Sequence, residues 1–307
     1  MIPAYGHTTL QRCLRSIEQQ EFRSHEISSV TVVDDGSEPA IAMPDDNCTL
    51  PLQILRNKTN QGRSVARNRG ASAGCGHAII FLDVDLCLSG ASAFQTLLDR
   101  LEATGGLVIG SVHRHRPKFW AWYGNRTIGQ RLSRSGPCWA DTTAFMALRR
   151  PIFDRLHGFD EAFREYGFED RDLIYRAYYA GIPIARCRDA EAEHSGDVHA
   201  ARIAEKLYEA GRTTAQRFRS KHPDAYRELP YSRIDISEAP SAVRWSARLL
   251  YSGASRIARL GARFEDRNRL PFPARAAAVR VLFALAFAAG TARCESSNKR
   301  PNSSEDA

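Results

Sequence analysis

The sequence predicts an α/β protein, a mostly parallel sheet flanked by helices and followed by a helical C-terminal appendage. Short β-branched runs that stop at acids alternate with stretches of helical period, the order that builds a parallel sheet covered on both faces. After about residue 110 the rhythm loosens, and the last part of the chain is basic and helical in pattern. With 307 residues, 43% of them hydrophobic, the chain can bury one sizeable core and still carry an appendage. The expected division is 1–225 for the α/β domain, 226–290 for a basic helical region and 291–307 for a polar, disordered tail.

Taken in order, Leu10, Cys13, Leu14 and Ile17 have the spacing of one helix face, with Thr8 or Thr9 available as N-cap. "SSVTVVDDGS" reads as a buried strand breaking into a loop, and "LQIL" as a second short strand. "GRSVARNRGASAG" reads as a helix closed by glycine, "HAIIFLDVDL" as a strand ending in acids, "AFQTLLDRLEA" as a helix and "GLVIGS" as a strand. Residues 113–126, basic and aromatic without a clear period, fit a surface loop or an acceptor-binding lid. "DTTAFMALRRPIFDRLHGFDEAF" reads as a strand, a turn at Pro151 and a short helix ended by Gly158. "FEDRDLIYRAYYAG" follows as a helix and "IPIARC" as a strand.

The seven cysteines, an odd number without a CxxC, fit reduced thiols and argue against a disulfide framework or a zinc site. "MIPAYGHTTL" lacks the basic leader and apolar core of a signal peptide. A cytoplasmic location is therefore expected.

Ligands of such sheets bind beyond the C-terminal strand ends, where Asp34, Asp35, Asp83 and Asp85 fall. If "FLDVDL" is a regular strand, Asp83 and Asp85 point to one side and can converge on one hard cation. Two protein acids leave coordination sites for phosphate oxygens, and the ion's charge can stabilise a departing diphosphate. Taken alone, an Asp-x-Asp reads better as acids ending a strand in an exposed turn. It is not alone: a second acid pair stands at "VVDDGS", with Gly62, Arg63 and Arg67 between the two.

"IPAYG", "VVDDGS", "NxGxxxARNxG", "FLDVD", "GFDEAF" and "GFEDRDLxxRxxxxG" occur in that order. Together they resemble the family 2 glycosyltransferases, which have the GT-A fold and use nucleotide sugars. The last block is similar to the C-terminal signature of β-1,4-galactosyltransferases. The resemblance covers roughly residues 1–200. It implies that Pro3, Tyr5 and Asp35 line the nucleoside pocket, with Asp34 supporting the loop. Arg67 would approach the diphosphate or the base, unless it is a solvated helix arginine. Asp83 would contact ribose or metal, Asp85 the metal, and His194 would be a third ligand to Mn²⁺ or Mg²⁺, with His199 a weaker candidate. Asp170 would be the general base that deprotonates the acceptor hydroxyl, giving inversion at C1. Glu169 would hold an acceptor hydroxyl and Asp172 would cap the helix, where acids also meet the favourable end of the helix dipole.

The implied donor is a UDP-sugar of galactose, N-acetylgalactosamine or N-acetylglucosamine type, and the implied acceptor a glycan or lipid-linked saccharide in surface polysaccharide synthesis. The rivals are an inactive scaffold of a membrane synthase complex and a nucleotidyltransferase. The latter would need a glycine-rich basic loop that "AYGHTTLQRC" does not supply. Only Met1 and Ile2 precede Pro3, whereas the family begins with a longer β-branched strand. The reading expects either a start upstream or a gap in the sheet beside the nucleotide pocket.

Residues 241–307 hold 12 Lys/Arg against 5 Asp/Glu, a balance of +7, so nearly all of the net charge of +8 lies there. On a helical wheel, Arg244, Arg248, Arg256, Arg259 and Arg263 share about 120° of arc, opposite Leu249, Leu250, Ile257 and Leu260. This pattern fits helices lying on an anionic membrane surface on the cytoplasmic side. Its competitor is a packed appendage. Nothing in the chain matches a nucleic-acid-reading module.

Overall fold

The computed structural model describes residues 1–6, 9–42, 48–113, 118–127, 137–195, 198–262 and 271–293, and only the backbone of 125–127 and 259–262. Thr8, Arg263 and the tail from 294 onward, named above, lie outside the described residues.

Strand β1 (Ile2–Ala4) is three residues long and wholly buried. It pairs in parallel with β2 (Val30–Asp34), which pairs in parallel with β3 (Leu52–Arg56). Met1 continues the pairing on the other side. Its ammonium donates to the Ile80 carbonyl at 2.8 Å, and its own carbonyl accepts from Leu82 N at 3.1 Å. Both partners belong to β4 (Ala78–Leu82). Short as it is, β1 is joined to β4 through these two Met1 bonds.

The second sheet runs β4-β7-β6-β8-β5, with β5 (Leu86–Leu88), β6 (Leu107–His113), β7 (Phe145–Arg149) and β8 (Ile184–His194). Here β6 and β8 are parallel, while β7 and β5 run against their neighbours. This half is therefore mixed, because the chain enters β7 from the edge where β4 ends. Helices α1 (Leu10–Glu18), α2 (Arg63–Ala73) and α3 (Ala93–Thr104) cover the sheets. Leu10, Cys13, Leu14 and Ile17 are buried as their spacing predicts, in one cluster with Val32, Leu82, Leu97, Val108 and Phe145. Each such large side chain contributes roughly 1.5–3 kcal/mol of hydrophobic stabilisation.

Three segments differ from expectation. Residues 118–127 form a helix, α4 (Lys118–Thr127), whose Phe119 and Trp120 are buried and pack ring against ring at 5.1 Å. Pro151 does not make a turn. It occupies the first turn of α5 (Arg150–Arg155), where a missing N–H costs nothing. And β8 runs on past Cys187 to His194, so the "AEH" stretch is strand. Helix α6 (Glu169–Tyr179) lies where expected.

The chain divides into two compact units, one holding Met1–His199 with Leu270–Ala276 and the other the remainder. The division falls at His199, ahead of the expected 225. The reason is that Ala204 of α7 (Ala200–Arg212) packs with Leu282 and Ala286 of α11 (Phe272–Thr291). These two helices touch backbone to backbone: a Cβ on Gly211 would stand 2.5 Å from the Phe287 carbonyl oxygen, and one on Gly290 2.2 Å from that of Tyr208. Helices α8 (Thr214–Lys221), α9 (Pro223–Glu228) and α10 (Ser241–Ala262) belong to the same unit. Among the described residues, α11 is the one helix long and apolar enough to cross a membrane, yet Ala286, Phe287, Ala289 and Thr291 in its C-terminal half are buried.

Candidate active site

The first pair of acids ends β2. Asp34 is buried and accepts hydrogen bonds from Ser37 N at 2.9 Å, Ile41 N at 3.1 Å and the Arg56 guanidinium at 3.4 Å. Burial would push its carboxyl up, but these donors together hold it below the usual aspartate range. The loop-supporting role expected of Asp34 is visible in those bonds. Asp35, also buried, accepts from Asn57 Nδ2 at 2.7 Å, Gln61 N at 2.9 Å and Gly62 N at 2.8 Å. It thereby fastens the "NQG" turn before α2 to the end of β2. Pro3 lies within buried β1, and Tyr5 just beyond it is 53% exposed. Because Ala4 pairs with Asp34, Tyr5 and Asp35 come out side by side at the strand ends.

Helix α2 then clamps the chain ahead of α6. A Cβ on Gly62 would fall 2.3 Å from the Arg164 carbonyl oxygen, so only glycine allows this approach. Ser64 Oγ donates to the Phe163 carbonyl at 3.2 Å. Asn68 bonds the Phe159 backbone from both sides, at 2.9 and 2.8 Å.

Arg67 is the hub. It is fully buried, not the solvated arginine that a helix position allows. Its Nη2 donates to Asp83 Oδ1 at 2.9 Å, and its Nη1 reaches Asp170 Oδ1 at 3.0 Å and Glu169 Oε1 at 3.3 Å. Phe159 lies under its guanidinium at 5.1 Å. Burial opposes the charge, but three carboxylates outweigh it and raise the pKa above the ordinary arginine value. Carboxylates separated by up to 87 residues in the sequence thus share one cation. The fork geometry of a guanidinium serves several oxygens at once, which an ammonium does not.

Gly167 and Phe168 enter α6 with φ of +90° and +68°. The positive φ of a buried phenylalanine is a strained conformation, held by packing, and it turns Glu169 and Asp170 toward Arg67. Asp170 Oδ2 accepts from Thr142 Oγ1 at 3.0 Å, and its Oδ1 from Thr143 Oγ1. Neither threonine was singled out from the sequence. They reach the site because β7 starts opposite the end of β4, with Asp83 N donating to the Ala144 carbonyl at 2.8 Å. Asp172, expected to cap, is buried and instead pairs with Arg176 at 2.7 Å. Arg176 in turn donates to the Leu156 and Gly158 carbonyls, locking α6 to the segment before it.

Asp83 and Asp85 are not on a strand face. β4 stops at Leu82 and β5 begins at Leu86, so the two acids occupy the turn between them, and the same-side argument does not apply. Asp83 faces Arg67. Burial alone would raise its pKa, but the charges of Arg67 and Arg63 hold it below the ordinary range. Asp85 faces the other way: its Oδ2 lies 3.4 Å from His194 Nδ1, because Leu86 pairs with His194 in the β5–β8 ladder. Among the described residues, no three His, Cys, Asp or Glu side chains are grouped so as to hold an ion. Two of the three expected ligands, Asp85 and His194, do stand together, 28% and 32% exposed. One carboxylate oxygen and one imidazole nitrogen fit an open Mn²⁺ or Mg²⁺ site completed by water and phosphate oxygens.

Glu169 is buried on all sides, and its Oε2 has no hydrogen-bond partner. Burial, then the neighbouring Asp170 charge, push its pKa up, and Arg67 and Arg63 offset this only partly. A protonated Glu169 leaves two cations facing two anions, a balanced cluster. An acid with a raised folded-state pKa loses stabilising effect as pH rises from its unfolded pKa through its folded pKa. Glu169→Gln should therefore melt above the wild type at neutral and higher pH, with the gap closing below about pH 4, near the unfolded value. Parallel melting curves at every pH would show that folding does not raise the Glu169 pKa.

The sequence profile described as Glycosyl transferase family 2 matches residues 1–157, just over half of the chain. A second profile, described as the N-terminal domain of galactosyltransferase, matches residues 132–198. An uncharacterized glycosyltransferase of Haemophilus influenzae is 33% identical over 88 residues, which span 28% of this chain and 29% of that protein. Among solved structures, the mannosyltransferase PcManGT of Pyrobaculum calidifontis, in complex with GDP-Man and Mn²⁺, superposes with a TM-score of 0.57 at 15% identity. That match covers 95% of this chain and 84% of the other. Residues 1–349 of S. aureus TarS, in complex with UDP, give 0.53 at 14% identity, covering 95% and 89%. The fold is GT-A. With a profile match across more than half of its length, the chain belongs to glycosyl transferase family 2.

Proposed function

We propose that the chain is a metal-dependent inverting glycosyltransferase that moves a sugar from a UDP-sugar to a saccharide acceptor. One observation carries this reading: Asp83, on the donor side, and Asp170, on the acceptor side, are held by the two ends of one buried guanidinium, at 2.9 and 3.0 Å. Asp170 takes the proton of the acceptor hydroxyl, whose oxygen bonds to C1 of the sugar. The C1–oxygen bond to the diphosphate breaks on the opposite face, and the configuration inverts. Tyr5, Pro3 and Asp35 border the nucleoside. Arg63, solvent-exposed on the first turn of α2, faces the same acids as Arg67 and meets the diphosphate. Asp85 and His194 would hold Mn²⁺ or Mg²⁺, an ion that neutralises the charge of the departing diphosphate. The nucleotide ligands of PcManGT and TarS support a nucleotide-sugar donor, and the galactosyltransferase-type profile supports galactose, N-acetylgalactosamine or N-acetylglucosamine. The acceptor we favour is a glycan or lipid-linked saccharide of a surface polysaccharide.

The test is a panel of nucleotide sugars, with the product's anomeric configuration read by NMR. One UDP-sugar should be turned over with inversion, in a reaction stopped by chelator and restored by Mn²⁺. Asp85→Ala should weaken metal-supported nucleotide binding by more than the roughly 10–100-fold lost when only a residue hydrogen-bonded to a metal ligand is changed. Nucleotide affinity indifferent to both chelator and substitution would remove the metal from the mechanism. Turnover of no donor would favour the inactive scaffold, and release of pyrophosphate from a nucleoside triphosphate the nucleotidyltransferase.

A further inference from the structure

Helix α10 presents the opposite of what its charges alone suggest. The arginine arc was expected outward, but Arg244 donates to the Ala292 carbonyl through Nε at 3.2 Å and Nη2 at 2.9 Å, and Arg248 folds back onto the Arg244 carbonyl at 3.3 Å. Ala247 and Ser255 are buried. Tyr251, Ala254 and Ala258 pack on the cluster of Ala204, Leu282 and Ala286, with Tyr251 stacked on Tyr208 at 5.2 Å. The face left in solvent carries large apolar side chains: Val243, Trp245, Leu249, Leu250 and Ile257 are 48–72% exposed, with Arg256 exposed beside them. Val243, Leu250 and Ile257 recur every seven residues along one line of the helix, and Leu249 and Trp245 extend that face around the wheel, away from the buried side, to a width of about 160°. Monomeric soluble proteins rarely expose a large contiguous apolar patch.

Charge decides between the possible occupants. Helix α10 carries Arg244, Arg248, Arg256 and Arg259 and not one acid, within a region of balance +7. A second copy docked face to face would set these arginines against each other. An anionic lipid surface instead offers an apolar interior to the leucines, negative headgroups to the arginines, and an interfacial zone to Trp245. We propose that α10 is a peripheral membrane-docking helix, with Val243, Leu249, Leu250 and Ile257 entering the headgroup–acyl boundary of an anionic leaflet, Trp245 at the interface, and the exposed Arg256 and half-buried Arg248 meeting lipid phosphates. This goes beyond sugar transfer and stands or falls independently of it.

The full chain is tested with vesicles of phosphatidylcholine containing about a third phosphatidylglycerol, and with phosphatidylcholine alone. It should co-sediment with the anionic vesicles, less so as salt is raised, and its tryptophan emission should shift to the blue by an amount lost in Trp245→Phe. Leu249→Glu with Leu250→Glu should lower the partition coefficient about tenfold or more while leaving the melting temperature and donor turnover unchanged, since both side chains already face water. Three results would overturn the proposal: no sedimentation with anionic vesicles, equal sedimentation of the double variant, or binding indifferent to lipid charge and salt. A concentration-dependent dimer dissolved by the same double substitution, without vesicle binding, would assign the face to self-association instead.

Discussion

Asp170→Asn should lower sugar transfer by about 10²–10⁴-fold, the range that a positioned general base contributes, while donor binding and melting temperature stay nearly in place. Stability is spared for a local reason. Asparagine keeps an oxygen for the Arg67 guanidinium, and its amide can donate to Thr142, whose hydroxyl oxygen already accepts from Ala144 N. Loss of the Asp170 charge also removes the second-largest influence raising the Glu169 pKa, so Glu169 can ionise and replace the missing negative charge beside Arg67. The effect should appear in kcat with little change in donor affinity, the signature of an interaction made in the transition state. The readout is transfer to acceptor, because donor hydrolysis does not need the same base. Near-normal transfer by Asp170→Asn would remove it from the chemistry.

Asp172→Asn provides the contrast, with the roles exchanged. Asp172 is fully buried and its partner Arg176 holds the Leu156 and Gly158 carbonyls. Losing that charge should cost on the order of 1.5–3 kcal/mol, the range of hydrogen bonds to charged groups, with turnover per folded molecule largely kept. Two acids two residues apart in one helical turn would thus fail differently, one in rate and one in melting temperature. An equal loss of rate in both variants would mean that the first turn of α6 acts only as a structural unit.

What the sequence made legible is what short-range pattern can carry. The face of α1, the buried run of β2 and the span of α2 follow from periodicity, and the ordered motifs pointed to Arg67, Asp83, Glu169 and Asp170 before any of them could be seen to touch. What they do to one another was not legible. Arg67 read equally well as a solvated helix residue, because nothing local says that its helix face meets the start of α6. The turn at Asp83–Asp85 looked like strand because Leu82, Val84 and Leu86 keep an apolar alternation running through it. Only the pairing of Leu86 with His194 shows that the chain has stopped and restarted. Thr142 and Thr143 carry no sequence signal of their own, since two hydroxyls ahead of an apolar strand are common. Their importance comes from β7 running antiparallel to β4, a long-range property. The orientation of α10 was hidden likewise, because its wheel defines two faces and only the packing of Tyr251, Ala254 and Ala258 decides which one turns inward.

Arg67→Met should be the most damaging single change to the fold. Methionine fills much of the volume but leaves Asp83, Glu169 and Asp170 without their shared cation in a buried setting. Breaking a buried ion pair from one side costs roughly 3–5 kcal/mol, a large share of the 5–15 kcal/mol by which a domain of ordinary stability is folded. The pH dependence identifies the cause. In the wild type the pKa of Asp83 is depressed, so its stabilising contribution is present above the unfolded aspartate value and is lost as pH falls through the folded one. In the variant Asp83 loses its principal cation in a buried setting and titrates upward, so the fold gains stability as that carboxylate is protonated. The deficit in melting temperature should therefore be widest at neutral pH and should shrink toward pH 4, near the ordinary carboxylate pKa. Arg67→Lys separates charge from geometry: it retains a cation, but a compact ammonium cannot span Asp83 at one end and Asp170 at the other. It should recover part of the stability and little of the transfer rate, because the donor and acceptor carboxylates are no longer held in register. A methionine variant with wild-type melting at neutral pH would contradict a structural role for the hub. A lysine variant with wild-type kcat would show that charge alone, and not the shared fork, links the two sides of the site.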